Sequence, residues 1–243
     1  VLILQIGDRT LPRDQDSRRL EAMGFHRERT DQLEEAISFI ELYDFDVILA
    51  DLDMPKVAGS ETIRAIRAVS NVPIIGITAS ADPRLRIVAL DLGADDVLMQ
   101  SCDADEIMAR IRAIVRRRFG HAESKLRCGR LELNLVAHEV RIDDVPLRLG
   151  PKEYLLLEFL VLKRGSAVSK TACMTHLYGT DEYPEAKTID VVLCRLRKRL
   201  APHGLADTIE SVWGYGFKLK DPESDGTTPR ATAAIRRRVL APA

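Results

Sequence analysis

The first half of the chain alternates short apolar runs with helical periodicities. Residues 2–6, 46–50, 72–77 and 97–99 are apolar runs of strand length, and stretches near 12–23, 31–42, 60–69, 83–92 and 103–117 carry apolar positions at helix spacing. Buried strands alternating with helices predict an α/β unit, a doubly wound parallel sheet covered on both faces. In such a sheet, sites form at the carboxyl ends of the strands.

The second half has a different grammar. Residues 131–135, 139–142 and 147–149 alternate apolar and polar positions, which predicts a small antiparallel sheet. Gly150 and Pro151 then open a helix, as N-cap and first helical residue, with Glu153 near its positive end and Tyr154, Leu155, Leu157, Phe159 and Leu162 on its apolar face. Ser169 is placed to cap a second helix ending near Tyr178 and Gly179, and a third runs from about Glu185 to Leu200. Residues 208–220, punctuated by Gly214 and Gly216, predict a hairpin. The pattern divides the chain into units at 1–118 and 126–221, joined by a linker at 119–125. The polar stretch 222–243 is expected to be a disordered tail.

Charge sharpens this division. Of 36 Lys/Arg and 37 Asp/Glu, residues 1–115 hold 13 and 21, a net of −8, and residues 116–243 hold 23 and 16, a net of +7. A basic second unit fits a polyanionic partner. Cys102, Cys128, Cys173 and Cys194 show no paired zinc spacing, so free thiols in a reducing, cytoplasmic compartment are expected. The opening VLILQI is too short for a signal core, and no apolar run nears the ~20 residues that cross a bilayer.

The predicted third helix, KTIDVVLCRLRKRL, places Ile189, Val192, Leu193, Leu196 and Leu200 on one stripe. Lys187, Val191, Cys194, Arg195 and Lys198 lie toward another face, with Arg197 and Arg199 on the flanks. Lys and Arg in that position can follow phosphates or bond guanine edges. A solvated basic face on a core helix is the competing reading. The adjoining hairpin and the basic surroundings favour double-stranded DNA.

Four motifs in order, LGPKEYLLLEFL, AVSKTACMTHLYG, KTIDVVLCRLRKRL and IESVWGYGFKL, resemble the effector domain of OmpR/PhoB-type response regulators, the CtrA cell-cycle subgroup in particular. The resemblance implies a winged helix-turn-helix fold that binds direct-repeat DNA as a tandem dimer. It carries DNA contacts onto Lys187, Thr188, Val192, Arg195 and Arg197. Lys198 lies on the same helix, and Lys218 is the basic residue nearest the wing tip. Where family members often carry a wing arginine, this chain has Trp213 and Tyr215; Trp213 is open between a wing contact and the core. The acidic segment GTDEYPE stands where the family meets RNA polymerase.

The first half resembles the flavodoxin-like receiver domain of the same regulators. Asp51, ending DVILAD, occupies the phosphoacceptor position, and Thr78 occupies the position that bonds the phosphoryl oxygen. Other positions depart. The family's two adjacent acids are Gly7 and Asp8, its Lys-Pro is Gln100 and Ser101, and its aromatic switch residue is Val97. Asp8, Asp51 and Asp53 remain a weak candidate set for Mg²⁺, and no other cofactor is implied. The expectation is a degenerate receiver that works without phosphorylation, which puts a cognate histidine kinase in question.

Family receivers dimerise through the fourth helix, fifth strand and fifth helix. The matching positions, Arg86, Asp91, Asp95, Asp96, Glu106, Arg110 and Arg117, offer complementary charges for a two-fold homodimer. Three alternatives stay open: a conventional regulator phosphorylated on Asp51, a protein-interaction platform without a DNA role, and an enzyme. No P-loop, HExxH or GxSxG supports the last.

Overall fold

The computed structural model describes residues 1–7, 24–55, 57–180 and 187–220. The helix expected over 12–23, Asp8, most of the acidic loop and the tail lie outside these residues. Helices are therefore numbered from the next one, and the fourth and fifth helices expected of the receiver are α3 and α4.

The first unit contains β1 (Leu2–Ile6), β2 (His26–Thr30), α1 (Leu33–Leu42), β3 (Val47–Asp51), α2 (Gly59–Val69), β4 (Ile74–Thr78), α3 (Pro83–Asp91), β5 (Asp96–Met99) and α4 (Ala104–Arg118). The strands form a parallel sheet ordered β2-β1-β3-β4-β5. Alternate residues feed opposite faces. Leu2, Leu4, Ile6, Ile48 and Ala50 join one core beneath α1 and α2, while Ile3, Val47, Leu49, Ile75 and Ile77 join the other beneath α4. The continuous apolar strands expected of a sheet buried on both faces are thus accounted for. Strand β2, reading HRERT, has no apolar pattern; it pairs with β1 along the sheet edge, register Leu2 to His26.

The second unit begins with an antiparallel sheet of β6 (Lys125–Cys128), β7 (Leu131–Asn134), β8 (Glu139–Ile142) and β9 (Val145–Leu147). Then come α5 (Pro151–Leu162), β10 (Ala167–Ser169), α6 (Lys170–Tyr178), α7 (Lys187–Leu200), β11 (Ile209–Val212) and β12 (Gly216–Leu219). The Gly150 amide donates to the Glu153 carboxylate at 2.8 Å, and the Ser169 hydroxyl accepts from the Ala172 amide at 3.0 Å. Both helix starts thereby satisfy donors that would otherwise lack partners.

The two units touch through β2 and the ends of α5 and α6. His26 lies against Lys152 and the Leu177 backbone, and burial pushes its imidazole down to about 4. His176 is buried and stacks on Phe159 with ring centroids 4.1 Å apart; burial holds it well below its ordinary value. On α5, burial pushes the Glu158 carboxyl up to about 7.

Candidate nucleic-acid interface and receiver pocket

The amphipathic spacing of α7 determines what it shows. Ile189, Val192, Leu193, Leu196 and Leu200 are buried in the second unit's core, and Lys187, Val191, Cys194, Arg195, Lys198 and Arg199 are exposed. Thr188 is half-buried on the flank. Val192 corrects the expectation of a DNA contact. It is 6% exposed because it faces the core with Leu193 and Leu196.

Arg197 also has a task within the fold. Its guanidinium donates to the Ile209 carbonyl at 2.6 Å and the Ser211 hydroxyl at 3.1 Å, tying α7 to the first wing strand. Lys170 holds the other side. Its ammonium contacts both Asp190 oxygens at 2.8 Å, and its amide donates to the Tyr215 carbonyl at 3.1 Å. These bonds fix the angle between helix and wing.

The wing is β11 and β12, paired from Ile209↔Leu219 to Val212↔Gly216. Gly216 is required by close approach, since a Cβ there would lie 1.9 Å from the Val168 carbonyl oxygen. At the tip, Trp213 is 98% exposed and Tyr215 53%, so this tryptophan is no part of the core. Lys218 is away from the tip, half-buried on the central strand opposite Glu210 and Ala167.

In the receiver unit, Asp51 ends β3 and is 3% exposed, and Thr78 ends the neighbouring β4 at 1%. The Asp53 amide donates to Asp51 Oδ1 at 2.8 Å. The Asp53 carboxylate accepts from the Thr78 hydroxyl at 2.9 and 3.1 Å and from the Ala79 amide at 2.6 Å. The sequence pointed to Asp53 only as a Mg²⁺ candidate and gave no sign of this bond to Thr78; nothing in the local pattern shows where a loop carboxylate turns.

Gly7 has φ +91, and a Cβ on this backbone would lie 2.6 Å from Asp51 Cβ. The absence of an acid at position 7 is therefore matched by a chain path that leaves no room for one. Gln100 is exposed, with its backbone N–H donating to the Thr78 carbonyl at 2.8 Å, and Val97 packs against the core. Among the described residues no three His, Cys, Asp or Glu side chains cluster as metal ligands. The Asp53 carboxylate is turned to Thr78 and Ala79, so of the expected Mg²⁺ set the described residues offer Asp51 and the Asp53 backbone. Asp8 lies outside them.

On the candidate dimer face, Arg110 pairs with Glu106 at 2.6 Å and with Asp96 at 2.9 Å within the chain. Hydrogen bonds from Cys102 and Arg110 hold the Glu106 carboxyl below its ordinary value. Asp95 is taken by Arg67 at 2.8 Å and by the Ile74 amide at 2.8 Å, an anchor for the loop before β5. Arg86 is half-buried, and Asp91 and Arg117 are exposed. Ile87, Val88 and Leu90 leave an apolar surface on α3, 56%, 48% and 46% exposed.

A parallel receiver sheet followed by a winged helix with a basic exposed helix face defines a DNA-binding transcription regulator. Residues 3–112 match the response regulator receiver domain, and residues 144–219 match the family described as transcriptional regulatory protein, C terminal. The chain belongs to the OmpR/PhoB-type response regulators. It is 39% identical over 206 residues to the cell cycle transcriptional regulator CtrA of Caulobacter vibrioides, covering 84% of this chain and 89% of that protein. It is 40% identical over 208 residues to the cell cycle response regulator CtrA of Brucella anthropi, covering 85% and 90%. Among solved structures, the response regulator DrrB, a Thermotoga maritima OmpR/PhoB homolog, aligns over 90% of this chain and 98% of its own at 19% identity and a TM-score of 0.38. Among the described residues no helix is long and apolar enough to cross a membrane.

Proposed function

We propose that this regulator binds direct-repeat DNA as a receiver-linked dimer and does so without phosphorylation of Asp51. The observation that carries the DNA reading is the exposed run Lys187, Arg195 and Lys198 on a helix whose other face is locked into the core. In this reading Lys187, Thr188, Arg195 and Lys198 contact DNA, Arg197 positions the wing, and Trp213 replaces a basic wing contact. Residues 1–118 are the receiver, 119–125 the linker, 126–221 the DNA-binding unit and 222–243 a tail. The protein works in the cytoplasm, and RNA polymerase is a partner through the acidic segment GTDEYPE.

Phosphate independence is supported by Gly7 against Asp51, the neutral Gln100 and the engaged Asp53 carboxylate. A carboxylate nucleophile needs its incoming phosphoryl charge neutralised, and these residues supply no cation for that task. The dimer is supported by the apolar surface of α3 beside Arg86, Asp91, Glu106, Arg110 and Arg117. Exposed ion pairs contribute only ~0–1 kcal/mol each, so the apolar residues provide most of the attraction.

Genome-wide occupancy of the wild type and Asp51→Ala tests the whole reading. The expected result is the same set of paired half-sites for both proteins. Loss of occupancy in Asp51→Ala, with phosphate found on Asp51 of the wild type, would establish a conventional phosphoswitch. Absence of specific sites in either protein would leave the platform reading.

A further inference from the structure

A path of hydrogen bonds leaves Asp53 and ends in a helix. Asp53 accepts from Thr78 and Ala79. The Thr78 hydroxyl oxygen accepts from the Ser80 amide at 3.0 Å, and the Ser80 hydroxyl accepts from the Asp82 amide at 3.2 Å. Asp82 is the N-cap of α3, accepting from the Arg84 amide at 2.9 Å. The whole β4–α3 junction is thus strung from one loop carboxylate, and α3 carries the exposed Ile87, Val88 and Leu90.

We propose that Asp53 is an internal anion that sets this junction in place of a transferred phosphoryl group. A hydroxyl and an amide converging beside a strand-end carboxylate form a seat for an oxyanion. A phosphoryl group on Asp51 would draw on those same two donors. Asp53 already holds them through a charged acceptor two residues along the same loop. Being part of the chain, it loses little freedom in doing so. A second anion on Asp51 would meet both occupied donors and a like charge. One side chain therefore fixes the start of α3 and opposes phosphorylation. This inference rests on the phosphate-independent reading and names its device.

The test uses the full chain as wild type, Asp53→Asn and Asp53→Ala. Amide hydrogen exchange over residues 79–84 reads the junction, and sedimentation reads self-association. Phosphate-affinity electrophoresis after incubation with acetyl phosphate reads Asp51. Removing a charge-assisted acceptor is expected to speed exchange at 79–84 by about tenfold in Asp53→Ala, with Asp53→Asn between it and the wild type. Self-association weakens in the same order, and the wild type takes up no phosphate. Circular dichroism confirms folding, and Asp53→Asn, which keeps the shape, provides the answer if Asp53→Ala does not fold. Exchange within about twofold of the wild type in both variants, with no phosphate on the wild type, overturns this inference alone. Phosphate on wild-type Asp51 overturns the phosphate-independent reading and this inference with it.

Discussion

The carboxylate of Asp53 holds the hydroxyl of Thr78 at 2.9 Å, joining the loop after β3 to the end of β4. Thr78 is 1% exposed and also receives the Ser80 amide, so its hydroxyl serves both sides at once. Thr78→Val keeps the side chain's shape and removes both bonds. The expected cost is about 1–3 kcal/mol, because the Ser80 amide loses its acceptor. Urea unfolding of the two proteins measures it.

Lys198 and Arg195 separate positioning from reading. Lys198→Ala is expected to weaken binding to all duplexes alike and to reduce the slope of log affinity against log salt by about 1. Arg195→Ala is expected to lose about 1–3 kcal/mol on the preferred site and much less on random duplex. Salt titrations of fluorescence anisotropy distinguish the two.

Trp213 is the single tryptophan of the chain, and it is 98% exposed. Its emission should be that of an indole in water and should change when a duplex binds. Trp213→Ala is expected to leave stability within about 0.5 kcal/mol of the wild type while weakening DNA binding, since the side chain supports no packing. An unchanged emission spectrum at saturating DNA would remove the wing tip from the interface.

Val192 gives the opposite pattern. Val192→Ala removes buried methyl groups and should cost about 2 kcal/mol of stability. Its affinity for DNA, measured at a temperature where the variant remains folded, should match the wild type within about twofold, because the residue faces inward.

His26 titrates at about 4 in the fold against an ordinary 6.5. The unfolded chain binds more protons between those values. The stability His26 contributes is therefore complete above about pH 6.5 and is lost as pH falls toward 4. Glu158, pushed up to about 7, works in the other direction, losing stability as pH rises from its ordinary value. His26→Phe isolates the histidine term: its thermal midpoint should fall less than that of the wild type between pH 6.5 and 4.5, an interval set by the same linkage.

What the sequence determined by itself follows from periodicity. Apolar residues at strand and helix spacing can be buried in only a few ways, so both architectures were legible, as were the N-caps at Gly150 and Ser169 and the stripe on α7. Strand β2 was not legible: HRERT holds its place through backbone pairing with β1, which leaves no apolar signature. The functional side chains depended on tertiary contacts in the same way. Val192 belongs to both the stripe and the motif, and only packing placed it inward. Arg197 reads as one more basic residue until the β11 carbonyl receives it. Trp213 suits a core by composition, but a three-residue turn between paired strands holds it in water. Asp53 reads as a loop acid, and only the meeting of β3 and β4 brings it the donors of Thr78 and Ala79. Periodicity is a local property that one strand of sequence can carry; the partner of a polar side chain is set by elements distant in the chain, and the fold alone decides it.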